Sequence, residues 1–316
     1  MNYLEQEIEV EADADYGANV PISISSALFR RLNETARPCV RMAIEGASTS
    51  AGAPPQWLER ASDIRTRGFE HRHGRTLLHV KAPTLGEAAP ELFAQQKLWP
   101  GVASPEDTAL QLIGKVSYVI RQREAASDMY DQPLLKRISH WNMLFHRKVR
   151  RIEMPAAHGS ATLTSGTLDF KVVENARLLS DQVPAPRQVR VVGKLDMVRH
   201  STRSFGLLLE NGEEVRGVLQ EGDPALLQAY FGRTINVFGK AVYRPSGPLL
   251  RIDAQELVDS AEGKIAFGSI PAALSSKPRP DKRLQNTKAG VGAFFGTWPG
   301  DETDEELLAA LAEIRR

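Results

Sequence analysis

A single cysteine, Cys39, in 316 residues excludes an intrachain disulfide and a cysteine-rich zinc site, and it fits a reducing cytoplasm. Neither sign of charge is in excess. Lys and Arg total 40 against 39 Asp and Glu, a net charge of +1, so any attraction to a polyanion must be local. No apolar run is long enough to span a bilayer, which predicts a protein without a membrane partner. The first 29 residues contain no Lys or Arg and six acids (Glu5, Glu7, Glu9, Glu11, Asp13, Asp15), the opposite of the basic start of a secretory signal. Motifs of catalysis are missing as well. There is no Gly-x-Ser-x-Gly and no His-Glu-x-x-His, and Gly290-Val291-Gly292 follows a polar stretch where a dinucleotide loop would follow a strand. His71 and His73 would share one strand face, with His79 near in sequence, but no cysteine accompanies them; no metal and no cofactor are predicted. These absences together predict a cytoplasmic, non-enzymatic protein.

The composition that is present, 42% hydrophobic and 25% charged, is that of a globular chain, and the length suits two folded units with connectors. The expected fold class is α+β: a mixed N-terminal domain, a small OB-like β-barrel, a flexible linker and a short C-terminal amphipathic helix. Residues 1–158 read as the mixed domain. Glu7 to Glu11 alternates with a period of two and predicts a strand, as does Thr76 to Val80. Ser48 to Pro55, rich in Gly, Ala and Pro, predicts a loop. Ser104-Pro105-Glu106-Asp107 has the form of a helix start, predicting a helix over Pro105–Arg123 with Leu110, Ile113, Val116 and Ile120 on its buried face. Leu134 to Phe145 predicts another. The basic run His146, Arg147, Lys148, Arg150, Arg151 reads as a solvated face or linker.

Residues 187–258 speak more plainly. Gln188–Val198, Ser204–Leu209 and Glu214–Leu219 are strand-like, the last two joined by Asn211-Gly212, a strong hairpin signal. Asp223-Pro224 opens a short helix through Tyr230. Thr234–Tyr243 and Leu249–Leu257 are strands around the turn Arg244-Pro245-Ser246-Gly247. Three strands, a helix and two strands is the order of an OB-type barrel, with a generic small barrel as its competitor. Such barrels bind single strands with a basic groove and stacking aromatics, and here Arg199, Arg203 and Phe205 fall at the first turn and Tyr243, Arg244 and Arg251 at the last hairpin. Single-stranded nucleic acid is thus one candidate partner.

Residues 261–293 read as a polar linker, with Lys277, Pro278, Arg279, Pro280, Asp281, Lys282 and Arg283 inside it. Residues 294–316 form the other candidate site, a partner-binding tail. Phe294, Phe295 and Trp298 are a large apolar load within five residues, and Thr303 to Glu306 is a capping box for an amphipathic stretch with Leu307, Leu308, Leu311 and Ile314 on one side. The same features suit docking on the chain's own body. The string Phe295 to Leu311 resembles a terminal motif of small bacterial proteins that include suspected antitoxins of toxin–antitoxin pairs. Val192 to Asp253, with Gly193-Lys194-Leu195-Asp196 and Tyr243 to Gly247, is similar to domains of uncharacterised bacterial proteins. The resemblance covers roughly a third of the chain. It implies a toxin-like or regulatory protein partner occluded by the tail, with Trp298 as anchor and Asp301 and Glu302 engaging basic or metal-binding groups. The chain is much longer than the usual antitoxin and lacks an obvious small DNA-binding motif at its start, which argues against autoregulation of an operon.

Overall fold

The computed structural model describes residues 2–14, 16–72, 75–93, 103–146, 149–156 and 166–259. Of two compact units, Met1–Leu274 and Ser275–Arg316, the described residues all belong to the first. The expected linker 261–293 and the tail 294–316, with Phe294, Phe295, Trp298, Asp301, Glu302, Leu307 and Leu311, lie outside them, as do His73, Arg147 and Lys148. The architecture is α+β: a five-stranded antiparallel sheet with helices, followed by a closed five-stranded barrel.

Alternation along β1 (Tyr3–Ala12) organises the sheet. Gln6, Ile8 and Val10 are buried, whereas Glu5, Glu7 and Glu11 are exposed and Glu9 half-buried. A strand with one wet and one dry face belongs in the middle of an antiparallel sheet covered on one side. β1 lies between β3 (Arg75–Pro83) and β4 (Val149–Glu153), with β2 (Arg65–Arg72) and β5 (Thr167–Asp169) outermost. Registers such as Ile8↔Leu78 and Val10↔Ile152 place apolar residues on the dry side, while Glu5↔Lys81 and Glu11↔Arg151 pair opposite charges on the wet side.

The dry side meets α1 (Ile22–Glu45), α2 (Gln56–Ala61), α3 (Leu85–Ala88), α4 (Ala109–Arg121), α5 (Gln132–Ser139), α6 (Asn142–Phe145) and α7 (Phe170–Gln182) in one hydrophobic cluster. α1 buries Ile24, Leu28, Leu32 and Ala36 at four-residue spacing and ends at Gly46, whose φ of +76° only glycine adopts freely. α4 starts four residues later than Pro105. The carbonyls of Pro105 and Asp107 accept the N–H groups of Gly86 and Leu85, and the Asp107 carboxylate turns inward to Lys115 Nζ at 2.6 Å. Thr108 and Gln111 form the capping box instead. The helix expected over Leu134–Phe145 is two, because the chain bends at His140 and Trp141 to bury the Trp141 ring, whose Nε1–H donates to Thr35 Oγ1 at 2.9 Å. This first core runs past residue 158, through α7 to Val183.

The barrel consists of β6 (Arg187–Arg199), β7 (Ser204–Leu208), β8 (Glu214–Leu219), α8 (Ala225–Ala229), β9 (Thr234–Tyr243) and β10 (Leu249–Asp259). It closes in the order β10-β8-β7-β6-β9, with β8 and β10 parallel and every other pair antiparallel. Long β6 serves two neighbours, β9 along its first half and β7 along its second, with an irregularity between Leu195 and Met197. Its interior holds a second cluster, including Val191, Leu195, Phe205, Leu207, Ile235, Val237 and Ile252, with Leu227 of α8 packed into it. Gly217 makes room for the Phe205 ring: a Cβ there would lie 2.1 Å from Phe205 Cζ. Among the described residues, no helix is long and apolar enough to cross a membrane.

Candidate functional site

The six barrel residues singled out by sequence fall into two groups. Phe205 and Tyr243 are 0% and 2% exposed and belong to the barrel interior. Their rings present no face to solvent on which a base could stack. The arginines lie outside the barrel, and most of them face the helices. Arg251 is 3% exposed; its Nη2 lies 3.1 Å from Asp131 Oδ2, its Nε donates to Asp253 Oδ1 at 2.6 Å, and its Nη1 donates to the Gly46 carbonyl at 3.1 Å. Burial disfavours its charge, but Asp131 and Asp253 outweigh that and raise its pKa.

Asp131, itself buried, holds several donors at once. It N-caps α5 through the Leu134 N–H (3.2 Å) and accepts the Ser48 N–H (3.0 Å) and hydroxyl. Arg244, in the β9–β10 turn, donates to Asp128 Oδ1 at 2.7 Å and to the Leu249 carbonyl, and the neighbouring Ser246 N–H donates to the Ala125 carbonyl at 3.1 Å. Arg199 donates to the Leu92 carbonyl, and burial lowers its pKa. Arg203 is exposed, in a left-handed conformation at φ +52°.

Arg216 of β8, missed by the sequence reading, lies beneath Gly46, and burial depresses its pKa to about 10. Glu45, next to Gly46 in the chain, lies 3.3 Å from Arg41 Nε. Burial pushes the Glu45 carboxyl up to about 7, against the pull of Arg41 and Arg203. Val242 and Leu250 of the barrel strands complete the junction by joining the helical core. The β9–β10 turn, Arg199 and the outer side of β8 thus form a buried ionic joint with the helices.

A different wall of the barrel carries exposed basic residues. Period-two alternation turns Gln188, Arg190, Val192 and Lys194 of β6 outward, together with Asn236, Phe238 and Lys240 of β9. The register sets Gln188 opposite Lys240, Arg190 opposite Phe238 and Val192 opposite Asn236. The Arg190 guanidinium lies over the half-buried Phe238 ring, 4.5 Å from its centroid. Asn236 is 2% exposed, and its Oδ1 has no hydrogen-bond partner among the described residues.

The wet face of the sheet is a ladder of opposite charges: Arg67–Glu5 (2.8 Å), Lys81–Glu5 (2.9 Å), Arg72–Glu7 (3.3 Å), Arg75–Glu9 (2.8 Å) and Arg151–Glu11 (3.2 Å). His79 sits between Glu70 (2.6 Å) and Glu7 (3.6 Å). Of these groups, Glu5, Glu7, Arg67, Glu70, Arg72 and His79 line a groove of about 810 Å³. Its three carboxylates, Glu5, Glu7 and Glu70, meet two arginines, Arg67 and Arg72, so most of its charge is paired within the groove. Among the described residues, no group of three or more His, Cys, Asp or Glu could hold a metal ion. No protein-family model matches the chain, and no curated protein or solved structure matches it significantly.

Proposed function

We propose that this is a non-enzymatic binding protein that captures a partner protein through residues 294–316, as an antitoxin or immunity-type component. The observation that carries this reading is in the sequence: Phe294, Phe295 and Trp298 stand directly before a capped amphipathic stretch, beyond a polar linker. The resemblance of Phe295–Leu311 to a terminal motif of small bacterial proteins, some of them suspected antitoxins, suggests the partner class, a toxin-like or regulatory protein. On this reading Trp298 fills a pocket of the partner while Asp301 and Glu302 meet basic groups, and Leu307 and Leu311 seat the helix. The test is affinity capture from native lysate with the intact chain and with Trp298→Ala, followed by reconstitution from purified components. A partner retained by the first and lost by the second is the expected outcome. Equal capture by both chains, or loss of the folded state on deleting 294–316, would remove the reading.

The barrel itself we assign to the OB type. Its strand order, its parallel closing pair β8 and β10, and the helix between its third and fourth strands support this. A second reading, nucleic-acid binding by the barrel, is favoured by one observation: an arginine-stacked phenylalanine on an outer wall with a lysine on either side.

A further inference from the structure

We propose that the β6–β9 wall, on the opposite half of β6 from the β6–β7 loop, is a binding surface for single-stranded nucleic acid. The proposal deepens the second reading above and rests on it. Recognition of a single strand needs two things on one surface: cations along the backbone path and a ring on which a base can stack. The barrel brings both together by strand parity. Lys194, Arg190 and Lys240 stand on the same outer face as Phe238, over a stretch from Gln188 to Lys194 of about 20 Å at strand rise.

Two observations favour this wall over the loops that the sequence pointed to. The Phe238 ring is partly open to solvent and already carries Arg190 4.5 Å from its centroid. A guanidinium lying over an aromatic ring is a planar cation whose outer face can stack on a base while the ring holds it in place. Lys194 and Lys240 are exposed; Lys194 has only a loose contact, 3.7 Å, with Asp196, and Lys240 makes no ion pair among the described residues.

At the junction, by contrast, Arg244 and Arg251 are engaged by Asp128, Asp131 and Asp253, and the aromatic side chains are inside. The wall also has its own boundary. Glu256 of β10 lies opposite Phe238 on the far side of β9, and its carboxylate repels phosphate from that edge. A strand therefore runs along β6 and β9 and not across to β10.

The test uses the full chain and labelled oligonucleotides of about 12 nucleotides, single-stranded RNA, single-stranded DNA and a DNA duplex, read by fluorescence anisotropy from about 50 to 200 mM salt. Expected is salt-dependent binding of the single strands in preference to the duplex. Phe238→Leu should weaken it by about fivefold or more through lost stacking, with thermal melting nearly unchanged. Lys194→Ala with Lys240→Ala should lower the slope of log K against log salt by about 0.7 for each lysine. Glu256→Gln should tighten binding. Single-strand binding that is indifferent to Phe238→Leu and the lysine pair would overturn this wall while leaving nucleic-acid binding by the barrel standing. Preference for the duplex would reduce the wall to a phosphate-attracting patch and overturn the stacking role. No binding at about 50 mM salt would overturn the wall and the second reading together.

Discussion

Glu45 shows what a single side chain at the junction can do. An acid whose folded-state pKa is about 7, against 4.5 for the free group, binds more protons in the folded chain than in the unfolded one between those values. Stability therefore falls as pH rises from about 4.5 to 7 and levels off above, where both states are ionised. A shift of that size corresponds to about 3 kcal/mol. Arg41 and Arg203 hold the shift in check, and Glu45→Gln keeps the shape of the side chain while removing its charge. The variant is expected to match the native chain near pH 5, to exceed its stability above pH 7 by up to about 3 kcal/mol, and to flatten the slope between. Chemical denaturation at pH 5, 6.5 and 8 measures this. An unchanged slope in Glu45→Gln would show that another group titrates. The other buried acid of the joint, Asp131, is surrounded by donors: Arg251, Ser48 and the α5 N-terminus. Cys39 is inert by comparison, its thiol pushed up by complete burial.

The elements of the barrel were legible because their signals are local. Asn211-Gly212 marks a hairpin, Asp223-Pro224 starts α8 with Asp223 Oδ1 accepting the Ala225 N–H at 2.8 Å, and β9 occupies the expected Thr234–Tyr243. The first body was harder to read because its sheet is assembled from β1, β3 and β4, whose pairing partners stand roughly 70 and 140 residues apart, and no local pattern sets that order. α1 had a readable stripe at Ile24, Leu28, Leu32 and Ala36, but Pro38 inside it argues against a helix. The candidate site was half legible. Parity along β9 turns Ile235, Val237, Ala241 and Tyr243 inward and Phe238 outward, so counting by twos would have exchanged one aromatic for the other. Composition could not show that Arg244 and Arg251 meet Asp128 and Asp131, because those carboxylates come from another part of the chain. The barrel also depends on a glycine whose need is steric. Gly217→Ala would set a Cβ 2.1 Å from Phe205 Cζ and 2.4 Å from Cε2. A loss of about 1–3 kcal/mol is expected by denaturation, with partial recovery in the double variant carrying Phe205→Leu. Additive losses in the double variant would mean that the ring is not what Gly217 accommodates.

At the scale of the described body, the two hydrophobic clusters are bridged by contacts that neither could satisfy alone. Val242 and Leu250 leave the barrel strands to join the helical core, and burying side chains of this size contributes about 1.5–3 kcal/mol each. Around them, Arg251 is 3% exposed and its ion-pair partner Asp131 2% exposed, from opposite sides of the joint. A buried pair of this kind adds little when intact but costs about 3–5 kcal/mol when one partner is removed, because the other charge stays in a poor solvent. Barrel and helices are therefore expected to unfold as one cooperative unit, in which peptides from α4 and from β9 share one opening free energy. Native-state hydrogen exchange in rising denaturant, read peptide by peptide, measures both values. Asp131→Ala should separate them, since it leaves the Arg251 charge at the joint and removes the α5 N-cap; the β9 peptides should then open before those of α4. Two distinct free energies already in the unaltered chain would show that the joint is a contact between independently stable parts. A single value in Asp131→Ala would show that Val242 and Leu250 alone suffice to couple them.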